Sequence, residues 1–236
     1  MQGNIENVLI NTEKNMSLSV RIIPVLLHRN GSLVKGKQFN SWRVVGHPLQ
    51  AALIHAARGV DELMILEIGS DHPATDMIES LTMKSFTPVT VGGGVCSISD
   101  VRDLLNAGAD KICIKSKSVI KETAKYFGSQ VVCASLDDDT DPRELEDLGA
   151  GEILLQSVER DGMMEGYDLD RIYHASSIVS IPIIASCGCG SYQHMLEAIH
   201  AGASAVAAGA FFQFTDSTPK GASIYLAKHG IETRIC

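Results

Sequence analysis

Residues 87–94 read T-P-V-T-V-G-G-G and lead into S-I-S-D-V-R-D-L-L-N-A-G-A-D-K-I-C-I-K-S at 97–116; residues 181–190 read I-P-I-I-A-S-C-G-C-G and lead into S-Y-Q-H-M-L-E-A-I-H-A-G-A-S-A-V-A-A-G-A at 191–210. Pro88 matches Pro182, Gly94 matches Gly188, and Ala107-Gly108-Ala109 matches Ala201-Gly202-Ala203, always 94 residues apart. A constant offset over so many landmarks marks a duplicated unit. Each copy holds an apolar run, a glycine cluster, a helix of about ten residues, Ala-Gly-Ala and a second apolar run. Apolar runs alternating with helices belong to a parallel sheet covered on both faces.

Carried outward, the pattern yields eight strand and helix pairs. Strands are expected at 21–27, 62–68, 87–91, 110–115, 131–136, 152–157, 181–185 and 204–208. Helices are expected near 47–58, 74–84, 97–107, 118–127, 142–148, 168–177, 191–201 and 219–229. The last starts at Ser217-Thr218-Pro219, a hydroxyl cap before a first-turn proline. Eight such units in 236 residues fit an α/β fold of the (β/α)8 TIM-barrel type with two-fold half-barrel symmetry. A doubly wound sheet is the structural alternative, although its halves do not require so regular a repeat.

With 45% hydrophobic residues, the chain can bury one large core. No linker divides it, so 18–236 reads as a single domain after a polar, Asn-rich arm at 1–17. A formal charge of −8 argues against non-specific binding to nucleic acid or anionic membranes. No apolar run is long enough to span a bilayer, and the start lacks a secretion signal. Six cysteines are no disulfide framework in a chain of this size. Cys113 and Cys133 fall within apolar strands as small core residues. Cys187-Gly188-Cys189 has one residue between its thiols, too few for a zinc pair, so neither metal nor cofactor is expected. A reduced, cytoplasmic setting follows.

In a barrel the loops after the strands share one face, where the chemistry sits. Gly92-Gly93-Gly94 after strand 3 and Gly188/Gly190 after strand 7 let backbone N–H groups approach a ligand. Lys115-Ser116 after strand 4 and Gly209-Ala210 after strand 8 complete the two halves, again 94 apart. The expected ligand is a phosphorylated small molecule with an anion on each side of the rim. The plainer reading is that these glycines only make tight turns. Acid–base candidates at strand ends are Asp137 after strand 5, Asp161 in E-R-D-G after strand 6, and Lys35 in the L-V-K-G loop. Repulsion within Asp137-Asp138-Asp139 would raise a carboxyl pKa; alternatively the run is a solvated acidic turn.

These stretches, with R-I-I-P-V-L-L at 21–27, V-D-E-L-M-I-L-E-I at 60–68, F-G-S-Q at 127–130, G-A-G-E-I-L-L-Q-S-V-E-R-D-G at 149–162 and G-Y-D at 166–168, resemble the cyclase subunit of imidazole glycerol phosphate synthase, the HisF family. The resemblance covers nearly the whole chain from Arg21. It implies a symmetric barrel that takes ammonia from a HisH-like glutaminase and closes an imidazole ring on a bis-phosphate. It further implies that Asp137, Asp161 and Lys35 are catalytic. By the same resemblance Gly94, Lys115, Ser116, Asp161, Gly162, Gly188, Gly209 and Ala210 contact phosphate, and Arg21, Glu62, Lys111 and Glu152 form the charged ring where ammonia enters. An ordinary salt-bridged floor is the plainer account of those four charges.

Three departures stand out. Lys115 and Ala210 replace the family's Asn and Ser. Leu27 stands where the cyclase has its strand-1 Asp, and losing such a group commonly costs about 10² to 10⁴ in rate. The segment after Asp137 is short where the family has a β-hairpin. The P-V-L-L start also resembles HisF-like proteins associated with glycosyl amidation in surface-polysaccharide synthesis. Three functions therefore remain open: amidation of a sugar-linked substrate, histidine-pathway cyclisation, and a catalytically silent barrel that activates its glutaminase.

Overall fold

The computed structural model describes residues 19–136 and 140–234. The arm expected at 1–17 and the candidate Asp137 lie outside the described residues.

Eight parallel strands close into a barrel: β1 (Arg21–Arg29), β4 (Leu63–Glu67), β5 (Val89–Gly92), β6 (Lys111–Ile114), β7 (Val132–Leu136), β8 (Glu152–Leu155), β9 (Ile183–Ala185) and β10 (Ala205–Ala208), with β10 returning to β1. Helices α1 (Pro48–Ala57), α2 (Thr75–Thr82), α3 (Ile98–Asn106), α4 (Lys117–Phe127), α5 (Pro142–Asp147), α6 (Leu169–Ile178), α7 (Tyr192–His200) and α9 (Pro219–Lys228) follow the strands, with a short α8 (Ala210–Phe214) directly after β10. Every expected strand and helix is present within a few residues, and the doubly wound alternative is excluded by closure.

The strands read apolar throughout because both faces are buried. On β1, Ile23, Val25 and Leu27 point into the barrel with Met64, Leu66, Cys113, Cys133, Leu154, Ile184, Ala205 and Ala207. Ile22 and Leu26, out of phase by one residue, join the layer beneath the helices. The two-residue period thus separates a lumen from an outer core.

One element departs from expectation. Residues 32–46, read as loop from the sequence, form a hairpin of β2 (Ser32–Lys37) and β3 (Asn40–Gly46). Asn30-Gly31 turns β1 into β2 with φ of 48° and 74° at its two central residues, the conformation that this dipeptide favours in tight hairpins. Pairing on one side of β1 changes midway. β10 runs along Arg21 to Pro24, and β2 takes over antiparallel at Leu27, His28 and Arg29. Pro24, with no N–H to donate, is the last residue paired to β10. The hairpin consequently rises from the rim and folds across the mouth.

Candidate functional site

A cavity of about 650 Å³ opens at the carboxyl ends of the barrel strands. Its wall takes residues from every one of the eight strand ends, including Leu27, Gly93, Gly94, Lys115, Ser135, Asp161, Cys187, Gly188 and Gly209. This is the face on which barrel proteins carry their chemistry.

The hairpin brings Lys35 and Asp161 to this cavity together. Gln38 N–H donates to the Asp161 carbonyl at 2.9 Å, Gln38 Nε2 to the Glu159 carbonyl at 3.1 Å, and Phe39 N–H reaches Asp161 Oδ2 at 3.5 Å. Gly162, at φ 71°, packs so closely on Gly36 that a Cβ would strike the Gly36 carbonyl. Lys35 is 6% exposed, and its Nζ donates to the Val25 carbonyl at 3.3 Å. Burial lowers its pKa to about 8, against the pull of Asp161 and Cys187, which favour the charge. Burial also raises the Asp161 carboxyl, opposed by Phe39 N–H, Lys35 and the Cys187 thiol. A lysine moved down and a carboxyl moved up, facing one cavity, have proton affinities closer together than their ordinary values, which suits them to acid–base work.

Of the other sequence candidates, Gly93, Gly94, Lys115, Gly162, Gly188, Gly209 and Ala210 line the cavity. Ser116 and Gly190 are not part of its wall. Ser116 Oγ pairs with Ser118 Oγ at 3.0 Å, and Gly190 N–H donates to His194 Nδ1 at 3.2 Å. Leu27 is buried on the wall, so no carboxylate enters from β1 at that position. His28, out of phase with it, pairs with Glu67 on β4 instead. Sequence reasoning takes Trp42 as loop packing and Cys187 as core or loop filler and does not name Phe39, yet all three line the cavity.

The repeat is visible in the helix starts. Ser97 and Ser191, 94 residues apart, cap α3 and α7 by accepting from Asp100 N–H and His194 N–H. The N-caps of α4 and α8, Ser116 and Gly209, make no side-chain cap. The two capped helices follow the glycine clusters, and the two uncapped ones follow the neighbouring strands in each half.

At the opposite end, four charges form a closed ring. Arg21 donates to Glu62 at 2.5 Å and to Glu152 at 2.7 Å; Lys111 donates to Glu62 at 3.1 Å and to Glu152 at 2.9 Å. Thr90 Oγ1 donates to Glu62 Oε1 at 2.6 Å from inside. Above the ring lie Cys133 and Cys113, paired in register on β7 and β6. Contact with Cys113 and burial push the Cys133 thiol up, so it stays protonated. Among the described residues no cluster of three or more His, Cys, Asp or Glu is placed to hold a metal, and no helix is long and apolar enough to cross a membrane.

A closed parallel barrel with a cavity at its carboxyl rim defines a (β/α)8 enzyme scaffold. The family model described as histidine biosynthesis protein matches residues 21–143 and 139–218, and the chain belongs to that family, the family of HisA and HisF, whose members are catalytic barrels.

Proposed function

We propose that this chain is a HisF-like synthase subunit: ammonia from a HisH-like glutaminase enters through the Arg21–Glu62–Lys111–Glu152 ring, crosses the lumen, and is transferred at the rim to a phosphorylated, sugar-linked substrate. The ring carries the reading. Four charges satisfied by one another close the floor of the barrel, and the apolar interior that includes Cys133 and Cys113 lies between that floor and the cavity lined by Lys35 and Asp161. An ammonium ion is expensive to bring into such an apolar lumen, whereas neutral ammonia is not. The ring is therefore a place to exclude the ion and admit the base.

In this mechanism Asp161 and Lys35 divide the proton transfers, one receiving the proton that the incoming nitrogen sheds and the other supplying a proton to the departing oxygen. Positive φ at Gly93, Gly94 and Gly188 turns backbone toward the cavity, and the uncapped starts of α4 and α8 leave first-turn N–H groups for anions. Leu27 favours amidation over ring closure, since an aliphatic side chain transfers no proton.

The test supplies ammonium to the purified chain together with either the cyclase's bis-phosphate or nucleotide-linked amino sugars. Consumption of the amino sugars alone supports amidation. Turnover of the bis-phosphate near an ordinary cyclase's would replace it with histidine-pathway cyclisation. Consumption of neither, with glutamine hydrolysis by a co-purified partner still raised, would identify a silent activator.

A further inference from the structure

On β7 and β8 the residues that face the lumen alternate up to the rim. Along β8 they are Glu152 at the floor, Leu154 within the lumen and Gln156 at the cavity; along β7, Cys133 in the lumen is followed by Ser135 at the cavity. The β8 row is polar at both ends and apolar between. The layer that meets the cavity is also divided around the barrel. From β6 to β9 it carries Lys115, Ser135, Gln156 and Ser186, whereas β1 and β4 supply Leu27 and Leu66.

Two of these polar groups are joined. Ser135 Oγ donates to Gln156 Oε1 at 3.1 Å, and Arg171 on α6 donates to the Gln156 backbone carbonyl at 2.8 Å. The first bond engages the carboxamide oxygen and sets which way the amide faces; the second holds the residue where β8 gives way to its loop. What remains is Nε2, with two N–H donors and no charge. Among the described residues no acceptor meets it and it is not shut away from solvent, so its donors open on the cavity. Directly beneath lie Leu154 and Cys133, an apolar layer beside which an anion is costly and a neutral carbonyl is not.

We propose that Gln156, oriented by Ser135, recognises a carbonyl oxygen of the substrate: its Nε2 amide donates to that oxygen and holds the carbonyl carbon where the lumen opens into the cavity. That this carbon then receives the nitrogen arriving through the lumen rests on the proposed function; recognition of the carbonyl does not.

The experiment uses two small probes on the intact chain. Acetamide offers a carbonyl oxygen; acetamidinium has nearly the same shape and offers only donors. Occupancy is read by ¹⁵N–¹H NMR at the indole N–H of Trp42, the chain's single tryptophan and a residue of the same cavity. Gln156→Leu is expected to weaken acetamide about tenfold, the upper range for one neutral hydrogen bond, and to leave acetamidinium unchanged. Ser135→Ala, which keeps the amide but frees it to turn, is expected to weaken acetamide by a smaller factor. Nucleotide-linked amino sugars extend the comparison: the wild type should bind an N-acetylated sugar more tightly than its free-amine counterpart, and Gln156→Leu should erase the difference. A wild type that does not bind acetamide, or acetamide binding unaltered in both variants, would overturn the proposal. So would equal losses of acetamide and acetamidinium, since Gln156 would then only shape the wall. Loss of acetamide alone, with neither sugar bound nor consumed, would remove the sugar-linked reading of the proposed function and leave the carbonyl site in place.

Discussion

Arg21 and Lys111 hold the same two carboxylates, each bridging Glu62 and Glu152 at 2.5 to 3.1 Å. The carboxylates are nearly inaccessible, with side chains 3% and 7% exposed, and the cations are about one quarter exposed. Removing one carboxylate leaves two cations short of a partner at the barrel floor. Glu62→Gln is therefore expected to lose about 3 kcal/mol in urea unfolding, the scale for breaking a buried pair. It should also depress glutamine-dependent turnover more than turnover with free ammonium. Equal losses with both nitrogen sources would argue for a purely structural floor.

Lys35 makes stability depend on pH in a stated direction. The unfolded lysine keeps its proton up to its ordinary value of 10.5, and the folded one only up to about 8. Between those values the unfolded state binds the extra proton, so stability rises with pH across the window. Below about 8 the penalty is fully present, about 3 kcal/mol on this shift. Lys35→Met should raise the urea midpoint at pH 7, with the gain shrinking as pH approaches 10.5, and should abolish turnover. A Met variant less stable at pH 7 would contradict the assigned burial cost.

Asp161→Asn retains the shape of the turn that meets Gln38 and Phe39 but cannot cycle a proton. Turnover should fall by about 10² to 10⁴, with little change in substrate affinity. Steady-state kinetics on the accepted substrate decide this, and unaltered kcat would remove Asp161 from the reaction.

Gly93→Ala would combine a left-handed φ of 81° with a collision against the Glu67 backbone, where no flexible side chain can yield. We expect a loss of about 2 kcal/mol or more by denaturant unfolding.

Trp42 is the chain's single tryptophan and lines the cavity, stacked so closely on Gly36 that a Cβ there would overlap its ring. Its fluorescence should change when a phosphorylated ligand enters. Gly36→Ala should displace the ring and shift the emission of the free protein toward that of exposed tryptophan.

Much of this was legible along the chain because it is local or periodic. Strands such as K-I-C-I at 111–114 and A-V-A-A at 205–208 announce themselves by unbroken apolarity, and the 94-residue offset relates the glycine turns of the two halves. The four floor charges precede or begin their strands, so counting to each strand start already places them at one end. The β2–β3 hairpin is not legible from apolarity, although Asn30-Gly31 signals it, because the unbroken apolar run of β1 stops at Leu27 and L-V-K-G reads as loop. That single omission hid the placing of Lys35 and Asp161 on one cavity.

By itself the sequence determined the barrel, its duplication and the end at which each charged group sits, since burial on both faces of a strand and the two-residue alternation are properties of the chain's own order. Tertiary structure alone decided which groups share a place: Lys35 and Asp161 on one cavity beneath a folded hairpin, Phe39 N–H with the Asp161 carboxylate, Arg21 and Lys111 through shared carboxylates. Those meetings depend on barrel closure, which brings residues as far apart in the chain as Arg21 and Glu152 within hydrogen-bonding reach, and on burial, which shifts proton affinities; neither distance nor desolvation is a property of any one stretch of chain.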